Sequence, residues 1–323
     1  MVKLDLKDRK ILYELDLNCR QSNSQIGKKV GLGRDVVGYR IKKLEDEGII
    51  TQYWANINTF KLGYNVFRIY LNFRDVTPKK KQEIINYFVN YKNSWVVASI
   101  KSGIDLDVVI WVKSIYEFYH FWDKTLDNYE KYFDKFDISI YIQANVYRKS
   151  YLLPNNDDSK NREMFRIACG EDSVKIDEID YKLLNELSVN ARASLVELGE
   201  KFDISSQSIN YRIKNLVKNE IINAFRIDID YDKLGLKNYK IDIYLKNHKM
   251  KKPISDYLSK MPSLEFMNFA IGWSDLEPEF VVNRLDELME ILDDINTKFS
   301  GSIKKQSFFI TEKVYKLRCM PEL

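Results

Sequence analysis

Apolar residues recur every three or four positions in three short runs near the start of the chain. This spacing places them on one face of a helix and predicts three amphipathic helices. The second and third helices are predicted over about Ser22–Val30 and Arg34–Glu47, separated by a break at Gly31–Gly33, and Gly48 ends the third. A β-rich wing, Ile49–Ile57, follows. The residues predicted to face inward are Ile11, Leu12 and Leu15, then Ile26 and Val30, then Val37, Ile41 and Leu44.

The same pattern returns with an offset of 172 residues. Tyr39–Leu44 reads YRIKKL and Tyr211–Leu216 reads YRIKNL, while Lys61–Gly63 and Lys233–Gly235 both read KLG. Both pairs have the same offset, so the match is ungapped and indicates a duplication. We call the two copies half one and half two. The corresponding helical positions of half two are Leu183, Leu184 and Leu187, then Leu198 and Phe202, then Ile209, Ile213 and Leu216, with Ser205 predicted as the N-cap of the third helix.

After each KLG, the pattern predicts strands and helices in the order βαββαβ, which is a ferredoxin-like unit. Pro278 cannot donate to a sheet ladder, so we expect it in an edge strand or at a bulge. In half one the strands are predicted at Tyr64–Phe73, Trp95–Lys101, Asp105–Val112 and Ile138–Tyr147, with helices beginning at Pro78 and spanning Ser114–Phe133. In half two the successive elements are predicted at Tyr239–Lys246, Ile254–Met261, Leu264–Ile271, Asp275–Val282, Asn283–Phe299 and Ile303–Tyr315.

Two helices, a tight turn, a third helix and a β-wing form the order of a winged helix-turn-helix. The predicted fold class is therefore α+β, with two winged helix-turn-helix domains alternating with two ferredoxin-like domains. A polar segment that opens with Pro154 links the halves and carries one candidate ordered piece, Met164–Ala168. The predicted domains are 1–58 and 175–230 (winged helix-turn-helix), 59–152 and 231–323 (ferredoxin-like), and 153–174 (linker).

In a winged helix-turn-helix, the third helix lies in the major groove of DNA. Its outward side chains here are cationic, amide or hydroxyl groups, which suit phosphates and base edges. Arg40 and Arg212 lie one position beyond the outward tyrosines and can instead brace the fold. The alternative is a merely solvated face, more so in half two, where Glu220 replaces Gly48. The predicted DNA-binding residues are Arg34, Asp35, Gly38, Tyr39, Arg40, Lys42 and Lys43 in half one, and Ser206, Gln207, Ser208, Asn210, Tyr211, Arg212 and Lys214 in half two.

Charge, cysteine content and the absence of certain motifs limit the kinds of protein that this chain can be. The net charge of +4 is compatible with nucleic acid without requiring it. Cys19, Cys169 and Cys319 are scattered and odd in number, which argues against a disulfide framework and fits a reducing cytoplasm. No run long enough to span a bilayer, no phosphate-binding loop and no metal-ligand spacing occurs in the sequence. We therefore expect a cytoplasmic protein without cofactor or metal that is not an enzyme.

The chain resembles the Lrp/AsnC family of regulators, twice over. The resemblance rests on D-x-x-I-L-x-x-L…N-x-R at Asp8–Arg20 and Asp180–Arg192, on R-I-K-x-L from Arg40 and Arg212, and on A-x-I…K-L-G at Ala55–Gly63. It implies a DNA-binding domain joined to an oligomerising, effector-binding domain called RAM, with double-stranded DNA, an amino acid or related small effector, and self-association as partners. Members usually carry one unit and dimerise, so we expect an intramolecular pseudo-dimer whose half-sites lie one helical turn (~34 Å) apart or a multiple of it.

The resemblance also implies an effector site at a Gly-x-x-Asp turn between the second and third RAM strands. Half two retains this turn, whereas half one displaces the glycine by one position. The alternative is an ordinary strand turn. The tentative effector-binding residues are Ser102, Gly103 and Asp105 in half one, and Gly272, Trp273, Ser274 and Asp275 in half two.

Two other functions remain open. Siroheme decarboxylases resemble this architecture, but His120 and His248 are the only histidines, and neither lies in the His-Asn-Tyr run associated with those enzymes. We expect His120, in the aromatic segment FYHFW, to be a packed core residue. The second alternative is a RAM-type sensor without DNA affinity, whose winged helices have become protein-interaction surfaces. Asp35 and the acidic run Glu45–Glu47 keep it open, because they weaken the positive field of the first recognition helix.

Overall fold

The computed structural model describes residues 3–153, which form half one, and 162–322, which form half two. The three helix-turn-helix segments of each half form helices as predicted. Half one contains α1 (Leu6–Leu17), α2 (Asn23–Val30), α3 (Arg34–Asp46), β1 (Ile50–Ile57), β2 (Asn65–Phe73), α4 (Pro78–Asn90), β3 (Ser94–Lys101), β4 (Leu106–Val112), α5 (Ile115–Tyr129) and β5 (Phe133–Tyr147). Half two contains β6 (Met164–Ala168), α6 (Glu178–Leu187), α7 (Leu195–Phe202), α8 (Ser206–Lys218), β7 (Ile222–Ile229), the short α9 (Tyr231–Leu234), β8 (Lys237–Leu245), α10 (Lys251–Leu258), β9 (Leu264–Ile271), β10 (Glu277–Val282), α11 (Leu285–Lys298) and β11 (Ile303–Leu317).

Side-chain caps fix where the small helices begin. The Ser22 and Ser194 hydroxyls cap α2 and α7 by accepting from the amides of Gln25 and Glu197, whose side-chain oxygens in turn accept from the amides of the two serines. Ser205 accepts from the amide of Ser208, which confirms it as the N-cap of α8. Such caps satisfy amides that have no partner inside the helix, whereas α3 begins after Gly33 without a side-chain cap.

The segment predicted as a wing pairs differently from that expectation. β1 forms an antiparallel two-stranded ribbon with β7 of half two, rather than part of a separate wing within its own half. Trp54 lies opposite Arg226 in this ribbon. Pairing between segments so far apart in sequence leaves no trace in local periodicity, so the sequence could not predict it. The ribbon joins the two helix-turn-helix units directly.

The eight strands of the two RAM domains close into one barrel-like sheet. Within each half the strand order is that of a ferredoxin-like unit, β5-β2-β4-β3 and β11-β8-β10-β9, which confirms the predicted fold class. The second part of β5 continues onto β9 of half two, and the second part of β11 continues onto β3 of half one. β5 begins at Phe133 and not at Ile138, as predicted, because Phe133–Asp137 pair with β2 of the same half. Exchange of the last strands locks the halves together.

Pro278 lies in a central strand, so its assignment to a possible edge was wrong. β10 lies between β8 and β9. Its ladder to β8 extends from Glu279 to Val282, and a bulge interrupts its ladder to β9 between Glu279 and Phe280. Because proline lacks an amide hydrogen, the sheet accommodates it next to this irregularity. The predicted bulge therefore occurs, but inside the sheet.

The segment between the halves is partly built into the sheet. β6 pairs with the end of β5, confirming the ordered piece predicted at Met164–Ala168. The Arg162 guanidinium donates to the carbonyl oxygen of Met261 at 2.7 Å, and to those of Arg148 and Leu264. Burial lowers the pKa of Arg162 to about 10. The predicted linker also includes residues 154–161, which lie outside the described residues.

The hydrophobic cores cross between the halves. The core beneath α1–α3 includes Ala191, Ile227 and Ile229 of half two, and the core beneath α6–α8 includes Ala55 and Ile57 of half one. Each helix-turn-helix unit therefore depends on the other half for part of its packing. Over residues 3–153 and 162–322, none of the helices is long and apolar enough to cross a membrane.

Candidate nucleic-acid interface

The outer face of α3 carries most of the DNA-binding residues predicted in half one. The Tyr39 side chain is 72% exposed, and Arg34 and Asp35 lie at the exposed N-terminus of the helix. Within the described parts of the chain, no ion pair or hydrogen bond engages the Arg34 guanidinium. Lys42 pairs with Asp46 at 2.6 Å, and Lys43 lies 3.8 Å from Glu47, in exposed pairs that water and salt readily screen. Arg34, Tyr39, Lys42 and Lys43 can therefore all reach a ligand.

The outer face of α8 is the counterpart in half two, and its chemistry differs. Tyr211 is 67% exposed, and Gln207 and Lys214 are also exposed. Ser206, Ser208 and Asn210 are half-buried. Amides and hydroxyls dominate this face, whereas α3 presents cations. The two faces can therefore read different base edges.

Gly38 serves the packing of α3 as well as its surface. A methyl group at Gly38 would lie 2.9 Å from the Asn23 amide nitrogen of α2, so a larger residue there would require the Asn23 side chain to move. Its equivalent in half two is Asn210, and Leu195 is the equivalent of Asn23. Gly38 is thus placed at the helix contact, half-buried, rather than on the outward face.

Arg40 and Arg212 brace the fold. Arg40 donates to the carboxylates of Asp5 and Asp8 at 2.7 Å each, and these hydrogen bonds raise the pKa of its guanidinium. Arg212 makes the same contacts with Asp177 and Asp180. Each arginine ties its recognition helix to the first helix of its own unit. Of the two roles considered from the sequence, bracing is the one these contacts support.

The N-x-R motifs connect the two units across the ribbon. The Arg20 guanidinium donates to the carbonyl oxygens of Ala191 and Ala193 at 2.7 and 3.0 Å, and Arg192 lies over the Tyr53 ring at 5.2 Å. The amide of Cys19 donates to the carbonyl oxygen of Phe225 at 2.8 Å. Together with the paired strands, these contacts hold α3 and α8 in a fixed relation to each other.

The two units differ in charge. Residues 3–58 contain eleven Lys and Arg against eight Asp and Glu, whereas residues 175–230 contain eight against ten. Phosphate binding depends on cationic side chains and dominates the affinity of DNA-binding proteins. The unit of half one is therefore the better suited to grip the DNA backbone.

Sequence reasoning missed two glycines that the helix-turn-helix requires. A methyl group at Gly27 would lie 2.5 Å from the carbonyl oxygen of Leu32, and one at Gly199 would lie 2.7 Å from that of Ile204. Their shared offset of 172 is the signal that could have identified them. Only glycine allows this close approach between the second helix and the turn before the recognition helix.

The two turns proposed to bind an effector have opposite surroundings. In half one, no atom lies within 4 Å of a methyl group built on Gly103, and the turn borders a cleft of about 380 Å³ lined also by Asn72, Lys81 and Lys101. Ser102 adopts a φ of 84°, and the Asp105 carboxylate accepts from the amide of Phe73 at 2.8 Å. The Asp105 carboxylate thus stabilises the turn.

In half two, protein fills the corresponding space. A methyl group on Gly272 would lie 2.9 Å from the carbonyl oxygen of Ile138 in β5. The Trp273 indole and the buried Ser274 hydroxyl both donate to Asp242. The Asp275 carboxylate accepts from the amide of Leu245 at 2.8 Å. The glycine therefore permits contact with the protein's own backbone.

The expected burial of His120 was wrong. The side chain is exposed on α5, 4.3 Å from the Tyr116 ring in an edge-to-face arrangement. His248 is exposed as well. Over the described ranges, no group of three or more His, Cys, Asp or Glu side chains is placed to hold a metal ion.

Comparison with known proteins assigns the helix-turn-helix units to a family. A family described as winged helix-turn-helix DNA-binding matches residues 4–51 and 176–223. An uncharacterised HTH-type transcriptional regulator of Pyrococcus furiosus is 32% identical over 118 residues, which are 36% of this chain and 78% of that protein. The HTH-type transcriptional regulator LrpA of Bacillus subtilis is 32% identical over 126 residues, 38% of this chain and 90% of that protein. Each relative thus matches little more than one third of this chain, as a duplication predicts.

The fold of the whole chain is also known. The crystal structure of the siroheme decarboxylase NirDL matches with a TM-score of 0.65 at 10% identity, covering 98% of this chain and 94% of that one. Identity this low shows a shared fold alone. Sequence similarity, the paired helix-turn-helix units and the RAM barrel together show that this chain is a tandemly duplicated member of the Lrp/AsnC family of DNA-binding transcriptional regulators.

Proposed function

We propose that one chain reads an operator with two unlike half-sites, using α3 for one and α8 for the other. The observation that carries this proposal is the exposure of Tyr39 and Tyr211 on two recognition helices whose units the β1–β7 ribbon joins. In the usual docking of this motif, such helices enter successive major grooves on one side of the duplex, about 34 Å apart. A covalent pseudo-dimer does not need identical half-sites.

Selection of bound fragments from random duplex DNA tests this proposal. We expect two half-site sequences at a fixed spacing, and affinity that falls steeply with salt because cationic side chains displace counterions. Recovery of a single half-site, or of a palindrome with identical halves, would contradict the use of two unlike helices. Affinity insensitive to salt would instead favour a protein-binding module.

The turn of half one is the proposed effector site. Its support is the cleft beside Gly103, which is lined by Lys81 and Lys101 and by their ion-pair partners Asp105 and Glu312. These paired charges can bind the ammonium and carboxylate groups of an amino acid. Thermal denaturation with each of the twenty amino acids should show one or a few that raise the melting temperature. Replacement of Gly103 by Val, with Gly301→Val as the control in a turn that is equally open, should abolish that shift. A shift that survives Gly103→Val would place the effector elsewhere.

The chain is proposed to be non-catalytic, although its fold is shared with a siroheme decarboxylase. Both histidines are exposed, and neither lies in a strand of the barrel-like sheet. Titration with siroheme while recording the Soret band separates the two functions. An unperturbed band is expected, and a saturable shift at equimolar protein would favour the enzyme.

A further inference from the structure

A pseudo-two-fold axis passes through the ribbon that joins the halves. Trp54 and Arg226 lie directly opposite each other in β1 and β7, and their numbers differ by the 172 residues that separate the two halves. They are therefore equivalent positions that meet at the axis. In a pair made of two identical halves, this position would face itself: tryptophan against tryptophan, or arginine against arginine.

Arg226 is completely buried and is held by half one. Its Nε and Nη2 atoms donate to the Asp16 carboxylate at 3.0 and 2.8 Å, and neither side chain is exposed. Nη2 also donates to the carbonyl oxygen of Tyr147, and the guanidinium lies 5.8 Å from the centre of the Trp54 ring. A charge this deeply buried needs such partners, and here the hydrogen-bond acceptors, Asp16 and Tyr147, both come from half one.

A second buried ion pair lies on the same side of the axis. The Lys149 ammonium of half one contacts the Glu265 carboxylate of half two, and both side chains are almost fully buried. The Tyr231 hydroxyl donates to Glu265 at 2.7 Å, and that of Tyr151 at 3.2 Å. The Lys149 amide donates to Asp16 at 2.8 Å, which connects the two pairs into one network.

Among the described residues, the equivalent place on the other side of the axis holds no buried ion pair like that of Asp16 and Arg226. Its backbone matches, because Ala191 donates to Tyr53 there as Cys19 donates to Phe225 on the charged side. The residue equivalent to Asp16 is Ser188, whose hydroxyl donates to the carbonyl oxygen of Asn185 in its own helix. Two equivalent sites therefore differ in chemistry: one holds a buried aspartate–arginine ion pair, whereas in the other a serine takes the place of the aspartate.

We infer that half one is built to pair with half two and not with another half one, and that Asp16, Trp54 and Arg226 decide this choice. A pair formed by two copies of half one would bury two Asp16 carboxylates against tryptophans. A pair formed by two copies of half two would place two buried arginines opposite each other, each facing a serine instead of an aspartate. Like charges opposite one another and buried charges without partners are both destabilising. This inference does not depend on DNA binding.

The intact chain allows a direct test by transplanting the ion pair to the other side of the axis. Trp54→Arg places two arginines at the axis with a single aspartate, and we expect it to lower the melting temperature by on the order of 10 °C. Adding Ser188→Asp supplies the missing partner and should restore most of that loss. Ser188→Asp alone serves as the control and should destabilise, because the carboxylate then faces Trp54. Additive effects of the two changes would overturn the inference.

Pairing itself can be measured after cleavage. A specific protease site placed within residues 154–161 separates the halves, which are then unfolded together in urea, refolded and weighed by native mass spectrometry. We expect nearly all refolded pairs to contain one of each half, whereas random pairing would give only half of them. The Trp54→Arg variant gives half one both an arginine and Asp16, so pairs formed by two copies of this half one should appear. Random pairing of the unmodified halves, or unchanged pairing in the variant, would refute the assignment.

Discussion

Among the cations of α3, Arg34 is the one whose substitution best separates an effect on DNA binding from an effect on the stability of the fold. Its guanidinium is exposed and, within residues 3–153 and 162–322, free of ion pairs. Its equivalent in half two is Ser206, so Arg34→Ser gives α3 the residue that α8 already tolerates at this position. The change should leave the melting temperature within error of the unmodified protein. If Arg34 binds a guanine bidentately, the substitution should weaken specific binding by about 1–3 kcal/mol, or roughly 5- to 150-fold in Kd.

Measurement of Kd by fluorescence anisotropy at several salt concentrations distinguishes the two ways in which Arg34 can contact DNA. Loss of a base contact reduces the preference for one base pair of the first half-site and leaves the salt dependence nearly unchanged. Loss of a phosphate contact instead weakens all sequences alike and lowers the slope of log K against log salt by about 0.9. Arg40→Ala is the matched control, because Arg40 is held by two carboxylates and its loss should reduce stability. Unchanged affinity and unchanged preference for Arg34→Ser would refute the placement of α3 in the groove.

Three further predictions concern stability. Leu44 is 2% exposed, so Leu44→Ala should lower the free energy of unfolding by about 2–5 kcal/mol through a cavity, and a calorimetric melting temperature equal to that of the unmodified chain would show that the helix faces another way. Gly27→Ala should cost about 1–3 kcal/mol in urea denaturation, because the added methyl group meets the Leu32 carbonyl oxygen, whereas Gly33→Ala, at an open position, should cost less. Burial raises the pKa of Glu279 to about 6 from an ordinary 4.5, so the folded chain binds more protons between these values and loses stability as the pH rises through them. Glu279→Gln should flatten that part of the stability profile, and an unchanged profile would show that other groups produce it.

Local patterns predicted the elements because most of them bury one face. The helix-turn-helix segments and the βαββαβ order follow from periods of 3.6 and 2, and the third strand of the second RAM domain was recognised despite its proline. The constant offset strengthened the prediction, because the pattern of each helix occurs in both halves. The candidate interface was predictable for the same reason: a residue such as Tyr39, between the apolar positions of an amphipathic helix, must lie on its outer face.

What could not be predicted depends on contacts between distant segments. Nothing local to β1 shows that its partner is β7, and nothing in α1 shows that Asp16 is buried against an arginine 210 residues away. The expected burial of His120 failed because α5 is aromatic on its exposed side as well as its inner side. The roles of Arg40 and Arg212 stayed open because their carboxylate partners lie in other helices.

Some differences between the halves lie where a homodimer could not accept them. In a dimer of identical chains, a substitution at the axis occurs on both sides at once, so Arg226 would introduce two buried cations together. Duplication within one chain removes that constraint, since Trp54 and Arg226 can change separately and each can be matched to its own neighbours. The same freedom applies to the recognition helices, where Arg34 and Ser206 occupy equivalent positions. A fused chain can therefore hold two different recognition helices in a fixed order. A homodimer cannot do so, because its symmetry presents the same helix twice.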